Sequence, residues 1–222
     1  MKIGVAIPCY KGHIIRLFEL LDSIEKQTRH PDKVVVSCSS TSEFLNSKDY
    51  SFPLQIIITE QHKNAAQNRN IAITKLSDMD YITFIDADDT MHPQRIEILL
   101  KVFEEDDCDV ILHNFFMNSN ESNEFIKIEN IQVKPNSLKQ CWSGCIVHKD
   151  TDNNTHHIHH GQVTLKRYIL DKVSFPEEVE FNRREDCLFC HKVFGLENIK
   201  NAYIVNELSY YSPSNTGGFI YL

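Results

Sequence analysis

Tyr81-Ile82-Thr83-Phe84-Ile85-Asp86-Ala87-Asp88-Asp89 is the stretch on which the fold turns. Its first five residues are aromatic, aliphatic or β-branched and predict a short buried strand. Three carboxylates then fall within four residues, Asp86, Asp88 and Asp89, and charges of that density mark the strand's end, since an unpaired carboxylate is costly inside a sheet. Side chains alternate between faces along an extended chain, which predicts Asp86 and Asp88 on one side and Asp89 on the other. Two carboxylates at a strand tip offer hard oxygen ligands suited to Mg²⁺ or Mn²⁺. The ordinary alternative is a solvated acidic turn, where aspartate is common.

Reading outward, the N-terminal half alternates strand and helix signals. Strands are predicted at Lys2 to Ile7, Val34 to Val36, Leu54 to Thr59, Tyr81 to Ile85 and Asp109 to Phe116. Helices are predicted at Ile14 to Gln27, at Ala65 to Leu76 with Asn64 as its cap, and at Gln94 to Glu105 behind Pro93. Strands separated by helices predict an α/β chain with a Rossmann-like, mostly parallel central sheet and helices on both faces. Ligands of such sheets sit at the carboxyl ends of strands. Those ends hold Pro8 to Tyr10, Ser37 to Ser40 and Asp86 to Asp89, which points to a nucleotide site. The second half is less regular. A strand or hairpin is predicted over Phe125 to Val133, strands at Cys145 to His148 and His156 to His159 around an Asp152-Asn153-Asn154 turn, helices at Val163 to Val173 and Glu185 to Phe194, and a strand at Ala202 to Leu208.

Two hundred and twenty-two residues fit a single domain, read here as a nucleotide-sugar half over 1–116 and an acceptor and base half over 117–222 that share a core. The formal charge of −8 argues against nucleic acid and anionic membranes as partners. It also means that a bound diphosphate needs a cation or local basic residues to offset like-charge repulsion, roughly 4 kcal/mol for unit charges about 4 Å apart at moderate dielectric. Seven cysteines, an odd number without a secreted spacing pattern, read as reduced thiols of a cytoplasmic protein. No apolar run is long enough for a signal peptide core or a bilayer span. Seven glycines, wrongly spaced for phosphate loops, disfavour ATPase and dehydrogenase functions.

Four segments, in order, resemble the family 2 inverting glycosyltransferases of GT-A fold. They are Val5-Ala6-Ile7-Pro8-Cys9-Tyr10, Asn64-Ala65-Ala66-Gln67-Asn68-Arg69-Asn70, Phe84-Ile85-Asp86-Ala87-Asp88-Asp89 and Arg184-Glu185-Asp186-Cys187-Leu188-Phe189. The resemblance implies a metal-dependent enzyme that moves a hexose from a nucleotide diphosphate sugar to a hydroxyl of a glycan or glycoprotein, with inversion. A UDP-sugar is the favoured donor, with GDP-mannose the alternative. Pro8 and Tyr10 would border the base, with Asn64 and Arg69 at the donor site. Asp86, with Ala87 beside it, would meet the nucleoside, Asp88 would hold Mn²⁺ or Mg²⁺, and Asp186 would be the general base. An aspartate is ionised at neutral pH and takes a proton as the acceptor hydroxyl attacks. Where the family often has an acidic residue at the end of the second strand, this chain has Ser37-Cys38-Ser39-Ser40, and Ser37 and Ser39 are expected to hydrogen-bond the base edge. Ala66 stands in place of the motif's glycine. Such enzymes act in bacterial polysaccharide synthesis and in large DNA viruses, in the latter case within the host cytoplasm, and also as modules of larger polypeptides.

Other readings stay open at this stage. An apolar strand ending in Asp86-Ala87-Asp88-Asp89-Thr90 also resembles haloacid dehalogenase phosphohydrolases, with Asp86 as nucleophile, although three strands precede it here. A sugar-nucleotide binder without catalysis is the third reading, against which Asp186 argues. Of His156, His157, His159, His160 and His191, one is a candidate extra metal ligand, and alternation puts His157 and His159 on one side. The Cys187-x-x-Cys190 and Cys141-x-x-x-Cys145 spacings read as small buried groups before zinc or redox chemistry. Trp142 is either a sugar platform or a core residue.

Overall fold

The computed structural model describes residues 1–44, 48–117, 125–141, 145–149 and 155–212. Trp142 and the Asp152-Asn153-Asn154 turn lie outside the described residues. The element order is β1 (Ile3–Tyr10), α1 (Ile14–Glu25), β2 (Lys33–Ser39), β3 (Leu54–Thr59), α2 (Ala65–Ile73), β4 (Tyr81–Phe84), β5 (Thr90–Met91), α3 (Arg95–Glu105), β6 (Val110–Met117), β7 (Val133–Pro135), β8 (Leu138–Gln140), β9 (Ile146–Lys149), β10 (Thr155–His157), β11 (Thr164–Lys166), α4 (Glu185–Phe194) and β12 (Asn201–Tyr211). Nine strands form the main sheet in the order β3-β2-β1-β4-β11-β6-β12-β5, with β7 also on β12, and β10-β9-β8 form a small antiparallel sheet.

The parallel pairs β3-β2, β2-β1, β1-β4 and β6-β12 carry the Rossmann-like part. Period-two burial sorts their side chains onto two faces. Ile3, Val5 and Ile7 of β1 pack with Leu17, Leu20, Leu21 and Ile24 of α1 and with the apolar stripe of α3. Ala6 faces the other way, with Ile82 and Phe84 of β4, toward α2 and Phe189 and Val193 of α4. Gly4 shares that second face. A Cβ there would lie 2.7 Å from Leu76 Cδ2 and 2.9 Å from Met79 Cγ, so glycine lets the end of α2 close on the sheet.

Pro8 does not end β1 as predicted; the strand runs on to Tyr10. Along β1, Ile3 C=O accepts from Asp32 on the β2 side and Lys2 C=O accepts from Asp80 on the β4 side, so even-numbered groups face β4. The β4 ladder stops at Ala6 opposite Phe84. Position 8 therefore faces β4 beyond the last rung, where a missing N–H costs no ladder bond.

Two second-half expectations give way. Val163 to Val173 is not a helix. Thr164–Lys166 is β11, slotted antiparallel between β4 and β6, followed by a 3₁₀ turn over Arg167–Asp171. A short apolar run fits either period, and the open slot between two strands decides it. Phe125 to Val133 is mostly irregular because its backbone pairs with side chains: Ile128 N–H donates to Gln94 Oε1 (2.7 Å), and Ile126 C=O meets His92 Nε2 (3.0 Å). Only Val133–Pro135 joins a ladder.

His113, on β6, is buried with Nδ1 on the Asn114 carbonyl (2.8 Å) and no partner for Nε2. Burial, then the Arg95 charge, holds its pKa well below the ordinary imidazole value. The folded state keeps it neutral while the unfolded chain takes up a proton, so its contribution is present above about pH 6.5 and is lost as pH falls below that. Urea unfolding between pH 7.5 and 5 should therefore show wild type losing up to about 1.4 kcal/mol per pH unit more than His113→Leu. Parallel pH profiles would contradict this.

Candidate active site

The acidic stretch leaves its strand sooner than the sequence implies. β4 stops at Phe84, and Asp89 N–H donates to the Asp86 carbonyl (3.1 Å), closing a turn. Alternation no longer applies inside a turn. Asp88 makes contacts of its own, with Oδ2 3.8 Å from His13 Nε2 and its carbonyl accepting from Arg16 (3.0 Å). Asp86 and Asp89 instead come together with His159: one ligand atom from each lies within 4.8 Å of the others. The expectation that Asp89 faces away from Asp86 is thus corrected by the turn.

Arg69 organises the other side of the turn. The Asn64 capping box starts α2: Asn64 Oδ1 accepts from Gln67 N–H (2.9 Å), and Gln67 Oε1 accepts from Asn64 N–H (3.1 Å). One turn later, Asn68 and Arg69 point inward, both buried. Asn68 Nδ2 lies 3.1 Å from the Cys9 carbonyl and 3.1 Å from Ser39 Oγ, while Ser37 Oγ donates to Asn68 Oδ1 (3.0 Å). Arg69, 2% exposed, donates through Nη2 to Asp86 Oδ1 (2.6 Å) and through Nη1 to Glu185 Oε1 (3.0 Å). Burial works against its charge, but Asp86, Glu185 and Asp186 outweigh that and raise its pKa. Phe175, 5.2 Å from the guanidinium carbon, covers one face.

Asp186 follows Glu185 in the first turn of α4 and accepts from Cys187 N–H (2.7 Å), a position where helix N-termini favour carboxylates. Its charge is felt at both Arg69 and His159.

A second buried layer supports the turn. Asp89 accepts from Gln162 Nε2 (2.7 Å) and Ser212 N–H (2.9 Å). Burial first, then the Asp86 charge, pushes its pKa well above the usual carboxylate range. Asp88 is raised by the same two causes in the same order. Gln162 Oε1 accepts from Arg95 Nη1 (3.2 Å) and from Ser209 Oγ. Arg95 also donates to Thr83 Oγ1 and the Phe84 carbonyl (2.9 Å each), and burial pushes its pKa down to about 9.

A divalent cation fits the cluster. His159 Nδ1 is buried with no partner, and burial keeps the ring below its ordinary pKa, in the neutral form that binds metal. A Cβ on Gly161 would come 2.9 Å from His159 Cε1 and 3.2 Å from Asp86 Oδ2, so glycine leaves this space to the imidazole and the carboxylate. The two carboxylates supply hard oxygens of the kind Mn²⁺ and Mg²⁺ take, and His159 adds one nitrogen.

The remaining expected residues divide. Tyr10 is 40% exposed with its ring 4.3 Å from that of His13, and Pro8 is buried beneath it. Ser37 and Ser39 are fully buried, with Ser39 Oγ donating to the Lys63 carbonyl (3.2 Å), so both hydroxyls serve Asn68 and the strand ends. Asn64 Nδ2 donates to the Glu177 carbonyl (2.8 Å), and the Ala87 side chain is in the core. Gln162, Glu185 and Asn68 are not singled out by the sequence, and Asp89 is quoted there without a role in the site. Glu185 and Asn68 lay inside quoted motifs without a role, and His159 was one of several equal histidines.

Residues 4–174 match the model of glycosyl transferase family 2. The chain belongs to this family. An uncharacterized glycosyltransferase of Haemophilus influenzae is 32% identical over 104 residues, covering 46% of this chain and 35% of that protein. The glycosyltransferase GlyG of Streptococcus pneumoniae is 28% identical over 119 residues, covering 51% and 39%. The chain thus aligns with well under half the length of either of these relatives. Residues 1–349 of S. aureus TarS, solved with UDP, superpose with a TM-score of 0.66 at 19% identity, covering 96% of this chain and 61% of that one. The complex of the same protein with UDP-GlcNAc gives 0.65 at 16% identity, covering 98% and 60%. The fold is therefore the GT-A fold, and family 2 membership displaces the phosphohydrolase reading of Asp86.

Arg69→Lys keeps one positive charge but cannot reach both carboxylates with a planar fork. Urea unfolding should show it less stable than wild type by about 3 kcal/mol, the scale of breaking a buried pair. A loss below about 1 kcal/mol would mean that the bridge contributes little.

Proposed function

We propose that this family 2 glycosyltransferase moves a hexose from a nucleotide diphosphate sugar to an acceptor hydroxyl, with Asp186 as general base. The observation that carries the reading is the Arg69 bridge, which joins the acidic turn to the helix turn bearing Asp186 at one end of the sheet. A displacement at an anomeric carbon needs a base on one side and a stabilised leaving group on the other. Asp186 accepts the acceptor's proton. Asp86, held by Arg69, orients the nucleoside, and Tyr10, with its exposed ring beside the end of β1, borders the base. Asp86, Asp89 and His159 would hold Mn²⁺ or Mg²⁺, with Asp88 beside them. A bound cation supplies Lewis-acid neutralisation of the diphosphate, which an acidic chain of net charge −8 otherwise repels.

UDP-sugars are the favoured donors, with GDP-mannose second. The TarS complexes with UDP and UDP-GlcNAc share this fold, which supports that order. The acceptor is a hydroxyl of a glycan or glycoprotein. A cytoplasmic location rests on the odd number of cysteines and their lack of a secreted spacing pattern. No helix among the described residues is long and apolar enough to cross a membrane.

Thermal shift with UDP-GlcNAc, UDP-glucose and GDP-mannose, each with and without Mn²⁺, tests donor and metal together. A ligand at about 100 times its dissociation constant stabilises by roughly 2.7 kcal/mol, or roughly 5–10 °C for a chain of this size. One donor should give such a shift only with Mn²⁺; no shift with any donor would overturn the reading. Asp186→Asn should retain the shift while transfer falls by about 10²-fold or more. Transfer within tenfold of wild type would remove Asp186 as the base. A donor shift in wild type without any product would instead favour the non-catalytic binder.

A further inference from the structure

Cys145 and Cys187 lie 42 residues apart in sequence, yet their sulfurs are 2.8 Å apart. Both residues are half-buried, so a small reagent can reach them. A disulfide bond is about 2.05 Å long, so closing this gap needs a shift of about 0.8 Å. The frame around the pair is held on both sides. Cys145 immediately precedes β9, where Ile146 N–H donates to His160 Nε2 (3.0 Å), and its carbonyl accepts from Cys141 N–H (2.8 Å). Cys187 sits in the first turn of α4, which Gln140 Nε2 ties to β8 through the His191 carbonyl (2.9 Å).

The other cysteines differ. Cys9 and Cys38 are register neighbours on β1 and β2, but both are buried under the sheet's α1 face. Cys108 and Cys190 are also buried, and Cys141, half-buried like the pair, meets Cys145 through its backbone N–H. Accessibility and proximity coincide at Cys145 and Cys187.

We propose that Cys145 and Cys187 form an oxidation site that a small disulfide, such as oxidised glutathione, converts to an intramolecular disulfide. Burial, the neighbouring Cys145 thiol and the Asp186 charge keep the Cys187 thiol protonated, so the first attack falls to Cys145. Its thiolate attacks one sulfur of the glutathione disulfide, forming a mixed disulfide and releasing one glutathione thiolate, which takes up a proton. Cys187 then loses its proton and attacks the Cys145 sulfur, and the second glutathione leaves as its thiol. The protein loses two electrons and two protons, and the glutathione disulfide gains both. The new bond staples the first turn of α4, and Asp186 with it, to the start of β9. The linkage stands apart from the transfer reaction and is read by mass, not by turnover.

The test uses the full chain, reduced, then equilibrated with oxidised glutathione, alkylated, digested and mapped by mass spectrometry. The expected result is a peptide joining Cys145 to Cys187, an intact mass lower by two hydrogens, and reversal by dithiothreitol. Constraining the unfolded chain should raise the melting temperature by roughly 5 °C or more over the reduced protein. Cys145→Ser should lose both the linkage and the rise, and Cys190→Ser, altered on the same helix, should keep both. Stable glutathione adducts on both cysteines, linkage to a different cysteine, or linked protein that melts no higher than the reduced form would each overturn the proposal.

Discussion

A guanidinium cannot shed its proton to escape burial, so a chain that buries Arg69 has to bring carboxylates to it. One comes from the acidic turn after β4 and the other from the start of α4, 116 positions away from Arg69 in the chain. Satisfying both leaves little freedom in the rotation of α2 or the placement of α4. Asn68, the preceding residue, adds a second constraint by gathering the ends of β1 and β2. Two consecutive inward positions on one helix therefore fix the strand tips and the two acidic segments relative to each other. Buried ion pairs add little net stability over apolar packing. What this one contributes is placement, and the two ends of the proposed reaction depend on it.

Beneath that bridge lies a second layer, in which Arg95, Gln162 and Asp89 share one network. Its members come from α3, from the turn before β11 and from the acidic turn. Arg95 also reaches back to the Phe84 carbonyl, the last of β4. Polar groups so deeply buried are costly unless fully paired, and here they pair mainly with one another. The layer gives the acidic turn a rigid floor and holds the histidine-bearing turn against it.

Much of the fold was legible because its signals are local. The β-branched run of β2, the Asn64 cap and the period of α1 specify their elements without help from the rest of the chain. Arg69, Asp86 and Asp186 were legible for a different reason: each sits in an ordered motif, and the structure brings Arg69 to Asp86 and sets Asp186 next to its other partner, Glu185. The failures share a cause. Alternation was carried past Phe84 as far as Asp89, through a turn closed by the backbone bond between Asp89 and Asp86. Ser37 and Ser39 looked available because nothing in the sequence says that Asn68 occupies them. His159 was one histidine among several until long-range packing left its Nδ1 unpartnered beside two carboxylates.

The position of β11 has a consequence for how such a chain is made. Strands β4 and β6 emerge early in synthesis, but the strand that joins them is residues 164–166. Until that segment leaves the ribosome, β4 keeps one open edge, and β6, which among the described residues pairs only with β11 and the later β12, has no strand partner. The strands of the N-terminal half thus pair as β3-β2-β1-β4, and β6 joins them late, through contacts of high sequence separation. The main sheet is continuous only because residues 164–166 sit between a strand that precedes α3 and one that follows it.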